Sequence, residues 1–261
     1  MNSPVSRRIN AERIVLLGWG RAILLQLAHP LVAAGVFDHS GFRDSPSAAV
    51  VRLHRTVRAM LGLSFGNPQE RDAILDHIRT IHRRVHGSLP ETTGPFPAGA
   101  PYSAEDPALV LWVHATIVES MVLAYERLVE ALTDVDRDAY CADAAPVAVA
   151  LGARDDDVPR TWAGIEGYID GMYKSGAIVV STQARALGHA VLEPAGAWVA
   201  TPLTWINKTV TMGLLPSTVR AQFGLSWTRR EQRQFDRVLP ALRAMRHVLP
   251  HVVVLWPEAR R

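Results

Sequence analysis

Two short stretches of this chain carry residue types that could do chemistry. The first is Arg-Leu-His-Arg-Thr at 52–56, and the second is Ile-His-Arg-Arg-Val-His-Gly at 81–87. In the second, His82 follows Ile78 by four residues and Leu75 by seven, so on a helix it shares their apolar side. A neutral imidazole in an apolar wall is what a haem or metal pocket needs. A hydrogen-bonded core histidine has the same pattern, and taken alone His82 fits that description better.

The other candidates in these two stretches also have two interpretations. Arg52 and Thr56 lie one helical turn apart, and arginine pairs well with carboxylates such as haem propionates. The Thr56 hydroxyl could donate a hydrogen bond to oxygen at an iron. On spacing alone, both are better described as ordinary helix-surface residues. His86 lies one turn after His82 and is expected to be exposed, but it stays the alternative ligand.

Two more histidines fall in apolar surroundings. His114 lies in the most apolar predicted helix, where a buried imidazole must be hydrogen-bonded. It is therefore either a structural residue or one that supports a pocket. His29 precedes Pro30, and we interpret it as a residue that hydrogen-bonds a helix end.

Helical periodicity positions these residues, and strand alternation is nearly absent. The clearest start is Asn67-Pro68-Gln69-Glu70, a cap, a first-turn proline and a reciprocal glutamate, and Gly87 is the expected end. Asp106 and Thr228 are two further caps, and residues 88–101 form a predicted surface loop. The predicted helices span residues 10–29, 30–37, 46–65, 68–87, 107–132, 159–186, 204–214 and 229–247, with one more that starts at 133. We therefore predict an all-α fold, a single multi-helix domain over residues 1–261 around a buried pocket.

Composition and missing motifs exclude several function classes. The chain has 261 residues, 48% of them hydrophobic, a net charge of +3 and no Lys/Arg run that would track phosphates, so nucleic-acid binding is not expected. Cys141 is the single cysteine, which excludes an internal disulfide and a cysteine-based metal site. Gly18-Trp19-Gly20 has no preceding strand, and neither a phosphate loop nor a nucleophile elbow occurs.

Location and partners are predicted from similar negative signals. The apolar stretch 22–37 is too short and too polar to span a membrane, and Ser6-Arg7-Arg8 is interpreted as the start of an ordinary helix rather than a signal. We expect a cytoplasmic protein with no transmembrane segment. Peripheral membrane contact and the oligomeric state are left open.

An ordered set of blocks resembles a known family. The blocks stand at 24–36 (Leu-Leu-Gln-Leu-Ala-His-Pro-Leu-Val-Ala-Ala-Gly-Val), 38–40 (Asp-His-Ser), 52–56, 65–66 (Phe-Gly), 81–85, 101–107 (Pro-Tyr-Ser-Ala-Glu-Asp-Pro), 111–116 (Leu-Trp-Val-His-Ala-Thr), 124–127 (Ala-Tyr-Glu-Arg) and 213–216 (Gly-Leu-Leu-Pro). In this order they are similar to the oxygenase-like family that includes the mycophenolic acid B oxygenase and, more distantly, the latex clearing protein. The similarity covers most of the chain.

The resemblance implies a partly globin-like helical fold that binds haem b. It implies that His82 is the axial iron ligand, with Arg52 and Thr56 near the haem as catalytic residues, although the spacing from Arg52 also accommodates His86. Our leading hypothesis is a haem-dependent oxygenase or peroxygenase that acts on a small apolar or isoprenoid-like molecule. The alternatives are a non-catalytic helical protein that binds haem or a hydrophobic ligand, and a helical protein without a cofactor.

Overall fold

A computed structural model describes residues 4–39, 46–193 and 202–260 of the chain, and for residues 46–53 it describes the backbone alone. The described part is mainly α-helical, which confirms the predicted fold class. The helices are α1 (Pro4–Ala11), α2 (Trp19–Leu27), α3 (Pro30–His39), α4 (Pro46–Phe65), α5 (Pro68–His82), α6 (Pro107–Leu128), α7 (Asp134–Ala150), α8 (Trp162–Lys174), α9 (Thr182–Leu192), α10 (Pro202–Leu214), α11 (Ser217–Gln222), α12 (Arg229–Val248) and α13 (His251–Val254). The described residues also form three 3-10 helices (Arg13–Gly18, Asp155–Asp157 and Pro257–Arg260) and two short antiparallel strands, β1 (His86–Ser88) and β2 (Pro101–Ser103).

Helix α6 is the centre of the fold. Its start is fixed by Asp106, whose carboxylate accepts a hydrogen bond from the Ala108 amide at 2.8 Å, and by Pro107 in the first turn. Trp112 and Tyr125 are fully buried in it. It packs against α2, α7, α8, α12 and the 3-10 helix Arg13–Gly18. A helix that is apolar nearly all round needs such cover on every side.

Length and hydropathy alone would also allow α6 to cross a membrane. In its most apolar window, however, 72% of the residues are buried inside the fold, as in the core helix of a packed domain. The helical segments Arg13–Leu27 and Pro30–His39 pass the same test only as a pair, and they are bent by 105° at Pro30. Proline cannot supply the amide that a continuous helix requires.

The predicted first helix, residues 10–29, is broken in the structure. α1 ends at Ala11, a 3-10 helix follows, and α2 begins only at Trp19. A side chain at Gly18 would place its Cβ 2.8 Å from the backbone oxygen of Ser120, so α6 approaches here as closely as only glycine permits. The Gly18-Trp19-Gly20 pattern is therefore a close helix contact and not a nucleotide fingerprint.

Helix α5 begins as predicted but ends earlier. Asn67 and Glu70 form the expected reciprocal capping box. The helix stops at His82 instead of reaching Gly87, because residues 86–88 pair with residues 101–103 as a two-stranded ribbon. The prediction of an unstructured surface loop over residues 88–101 was wrong in part, since Leu89 is buried and the ribbon packs on α3.

The remaining boundaries differ in smaller ways. The predicted helix over residues 159–186 is two helices, α8 and α9, separated by a turn in which Gly176 has φ +75°. α3 continues through His39, beyond the predicted end at Phe37. Residues 40–45 and 194–201 lie outside the described part of the chain. The capping box at Thr228 is confirmed.

Candidate functional site

His82 is the last residue of α5 and is half-buried. Its Nδ1 is buried and has no hydrogen-bond partner among the described residues. Burial lowers the pKa of the imidazole below its usual 6.5, against the smaller, opposite effect of the Glu105 carboxylate on that pKa. The ring is therefore neutral at pH 7, with a nitrogen that lacks a partner, and such a nitrogen costs about 1–3 kcal/mol unless a ligand or ion satisfies it.

The predicted apolar wall around His82 is present but only partly covered. Ile74 packs on α4 at Gly62, and the Arg79 Nε donates to the Ala150 carbonyl oxygen at 2.7 Å, so the two flanks of α5 are held in place. His82 lies between these flanks on the helix surface. No residue of α5 is fully buried, and Ile81 is 48% exposed. Apolar side chains next to His82 are thus available to contact a ligand.

The ribbon after α5 fixes this end of the helix and places His86. The His39 Nε2 lies 3.1 Å from the His86 carbonyl oxygen, and the Tyr102 hydroxyl donates to the Asp38 carboxylate at 2.5 Å. Burial and this carboxylate raise the pKa of Tyr102, so its hydroxyl keeps its proton. The side chain of His86 is exposed on β1, as expected. His82 therefore has the more pocket-like surroundings of the two alternative ligands.

Arg52 and Thr56 both lie on α4, one turn apart, as the sequence predicts. The Arg52 side chain lies outside the described part of the structure. The Thr56 side chain is exposed. Their assignment to a haem pocket stays a prediction.

Two buried histidines resemble His82 in having a nitrogen without a hydrogen-bond partner among the described residues. His114 is 9% exposed on α6, its Nε2 lacks a hydrogen-bond partner, and burial lowers its pKa to about 4. His29 is 4% exposed, its Nδ1 lacks a partner, and burial lowers its pKa to about 4, opposed by the Asp106 carboxylate. We had expected both histidines to be hydrogen-bonded, and this was wrong for His114 Nε2 and His29 Nδ1.

His29 is the residue whose setting sequence reasoning missed. Its ring packs against Phe96, with the ring centroids 5.2 Å apart, and the nearby Asp106 is the cap of α6. His82 is likewise close enough to Glu105 for that carboxylate to act on its pKa. Two neutral imidazoles thus lie near the start of α6. The His-Pro pair between two apolar segments was the available signal.

The two deeply buried histidines make stability depend on pH. Because their folded pKa of about 4 is below the ordinary 6.5, the unfolded chain binds more protons between these values. Their contribution is complete above pH 6.5 and is lost as pH falls towards 4. We expect the free energy of unfolding in urea to drop by about 1–3 kcal/mol per histidine between pH 7.5 and pH 4.5.

The matched variants are His29→Gln and His77→Gln, the second at an exposed position of α5. His29→Gln should make the free energy of unfolding depend less steeply on pH. His77→Gln should show the same pH dependence as the unmodified chain. Equal slopes in all three proteins would show that burial of His29 does not control this titration.

A surface cavity of about 420 Å³ lies elsewhere, between α9, α10 and α12. Its lining mixes aromatic and charged side chains, including Trp205, Trp227 and Lys208, and it includes none of the predicted site residues. Within the described ranges, no group of three or more His, Cys, Asp and Glu side chains could hold a metal ion. A haem iron differs from such a site, since a single histidine can be its protein ligand.

Comparison with known proteins identifies the family. Residues 6–244 match the catalytic domain shared by the ER-bound oxygenases mpaB and B′ and rubber oxygenase. The chain belongs to this family. The mpaB/rubber-oxygenase family consists of oxygenases, so membership supports an oxygenase activity of this chain.

Two curated relatives of this chain come from mycobacteria. An uncharacterized protein of Mycobacterium bovis and one of Mycobacterium tuberculosis are each 27% identical to it over 235 residues, covering 88% of both chains. No solved structure matches the chain.

Proposed function

We propose that this member of the mpaB/rubber-oxygenase family is a haem b-dependent oxygenase or peroxygenase of a small apolar or isoprenoid-like substrate. The observation that carries the proposal is the unpaired, buried Nδ1 of a neutral His82 beside incompletely covered apolar side chains of α5. A neutral imidazole is the form that ligates iron, so His82 fits the cofactor that the family resemblance implies.

In this mechanism the residues of the chain bind, orient and exclude water. His82 would hold the iron through the ring nitrogen that carries no proton, because its lowered pKa keeps the imidazole neutral. The resemblance implies that Arg52 and Thr56 lie near the haem. Arg52 would then pair with a propionate carboxylate or steer the oxidant, and Thr56 would donate a hydrogen bond to the oxidant. Haem b, when bound, supplies the redox chemistry with dioxygen or peroxide.

The apolar surroundings set the substrate class and the role of the other histidines. Ile78 and Ile81 on α5 would contact an apolar substrate and keep water from the ligand nitrogen. His114 supports the pocket from α6 as a neutral, buried residue. We further propose a cytoplasmic location, His82 rather than the exposed His86 as ligand, and no nucleic-acid partner.

One absorption spectrum with iron quantification tests the cofactor. We expect the purified protein, as expressed or after haem is added, to show a Soret band with about one iron per chain. Oxygen or peroxide consumption with small terpenoids then tests the activity. A Soret band without any consumption would favour the non-catalytic haem-binding alternative. A protein that shows no Soret band after haem is added would contradict the proposal.

A further inference from the structure

Exposed apolar side chains are concentrated in a short stretch near the end of α12. Among the exposed large apolar residues of the described chain, four lie within nine positions: Met245 (49% exposed), Val248 (84%), Val252 (57%) and Val253 (46%). We call residues 245–253 the C-terminal tip. Here α12 ends, the chain turns at Pro250, and the short α13 follows. Single exposed apolar residues are ordinary, but a cluster of four marks an interaction surface.

The body of the protein holds the C-terminal tip in this position. Arg246, at the base of the tip, forms an ion pair with Glu12, whose side chain is only 3% exposed. Beyond the tip, the Trp256 amide donates to the Ala11 carbonyl oxygen at 2.9 Å. The Arg13 guanidinium lies 5.0 Å from the centroid of the Trp256 ring. The valines are therefore presented to solvent by a fixed turn and are not part of a loose end.

The charge around the tip indicates which surface it meets. Residues 243–261 contain four arginines and one acidic residue, whereas the net charge of the whole chain is only +3. Exposed Arg243, His247 and His251 lie in or beside the tip, and exposed Arg260 follows it. Like charges would oppose pairing of two such tips, whereas an anionic surface would attract them.

We propose that the C-terminal tip docks this protein on an anionic lipid membrane. The valines and Met245 would enter the boundary between headgroups and acyl chains, and the flanking arginines would lie at the level of the lipid phosphates. Basic residues near an anionic leaflet and buried apolar area both contribute to such binding. The surface is separate from His82, so the proposal does not depend on the haem.

Vesicle co-sedimentation tests this docking. We expect the full chain to bind phosphatidylcholine vesicles that contain phosphatidylglycerol, and to bind pure phosphatidylcholine vesicles more weakly. High salt should weaken the binding to the anionic vesicles. The double variant Val248→Asp/Val252→Asp should bind at least about tenfold more weakly, since both apolar contacts are replaced by anionic side chains.

The control is Val135→Asp, which alters an exposed apolar residue outside the tip, 78% exposed, at the start of α7. It should bind anionic vesicles like the unmodified chain. The proposal is overturned if the unmodified chain does not bind these vesicles, or if the two variants lose binding equally. It is also overturned if the tip variant changes only a dimer seen by analytical ultracentrifugation without lipid.

Discussion

Replacing His82 by glycine is expected to abolish the Soret band of the haem-loaded protein, or to weaken haem binding by at least about tenfold. The reason is that the neutral imidazole at the end of α5 is the iron ligand we propose, and no other histidine stands in the same half-buried setting on that helix. The measurement is a haem titration followed by absorption. Added imidazole should restore the band in His82→Gly, because the free base can occupy the space that the side chain leaves.

Two further variants make the His82 experiment decisive. His77→Gln changes an exposed histidine of the same helix and should titrate with haem like the unmodified chain. His86→Ala tests the alternative ligand and should keep the band. Loss of the band in His86→Ala, with retention in His82→Gly, would instead assign the iron to β1. A band retained in both variants would contradict an axial ligand from this part of the chain.

The sequence predicted those elements whose signals are local. The capping residues Asn67, Asp106 and Thr228 each bond to amides within three positions, and the helices they start begin where predicted. A cap needs no distant partner, which is why its residue types are sufficient. The same is true of the helical periodicity that placed His82 beside Ile78.

Features that depend on distant contacts were not predictable from local patterns. The break between α1 and α2 accompanies the close approach of Gly18 to the backbone at Ser120, about a hundred residues later. The surroundings of His29 include the ring of Phe96, from the segment that periodicity identified only as a loop. Periodicity reports which side of an element is apolar, but not what covers it.

The second large effect is expected at Arg21, whose buried guanidinium joins three helices. Its Nε donates to the Leu214 carbonyl oxygen at 2.9 Å, and its Nη1 donates to the Ser120 hydroxyl at 2.7 Å and to the Glu119 carboxylate at 2.9 Å. The side chains of Arg21 and Glu119 are 4% and 19% exposed, so water can replace few of these contacts.

Arg21→Ala is therefore expected to lower the free energy of unfolding by about 3–5 kcal/mol, the usual cost when one partner of a buried ion pair is removed. Urea denaturation at neutral pH measures this change. The control is Lys174→Ala, which removes the Lys174–Asp170 pair of comparable length, 2.5 Å, with side chains 75% and 60% exposed. Lys174→Ala should change the free energy of unfolding by less than about 0.5 kcal/mol, because water screens an exposed ion pair. Similar losses in the two variants would show that the contacts of Arg21 to α6 and α10 add nothing beyond a surface ion pair.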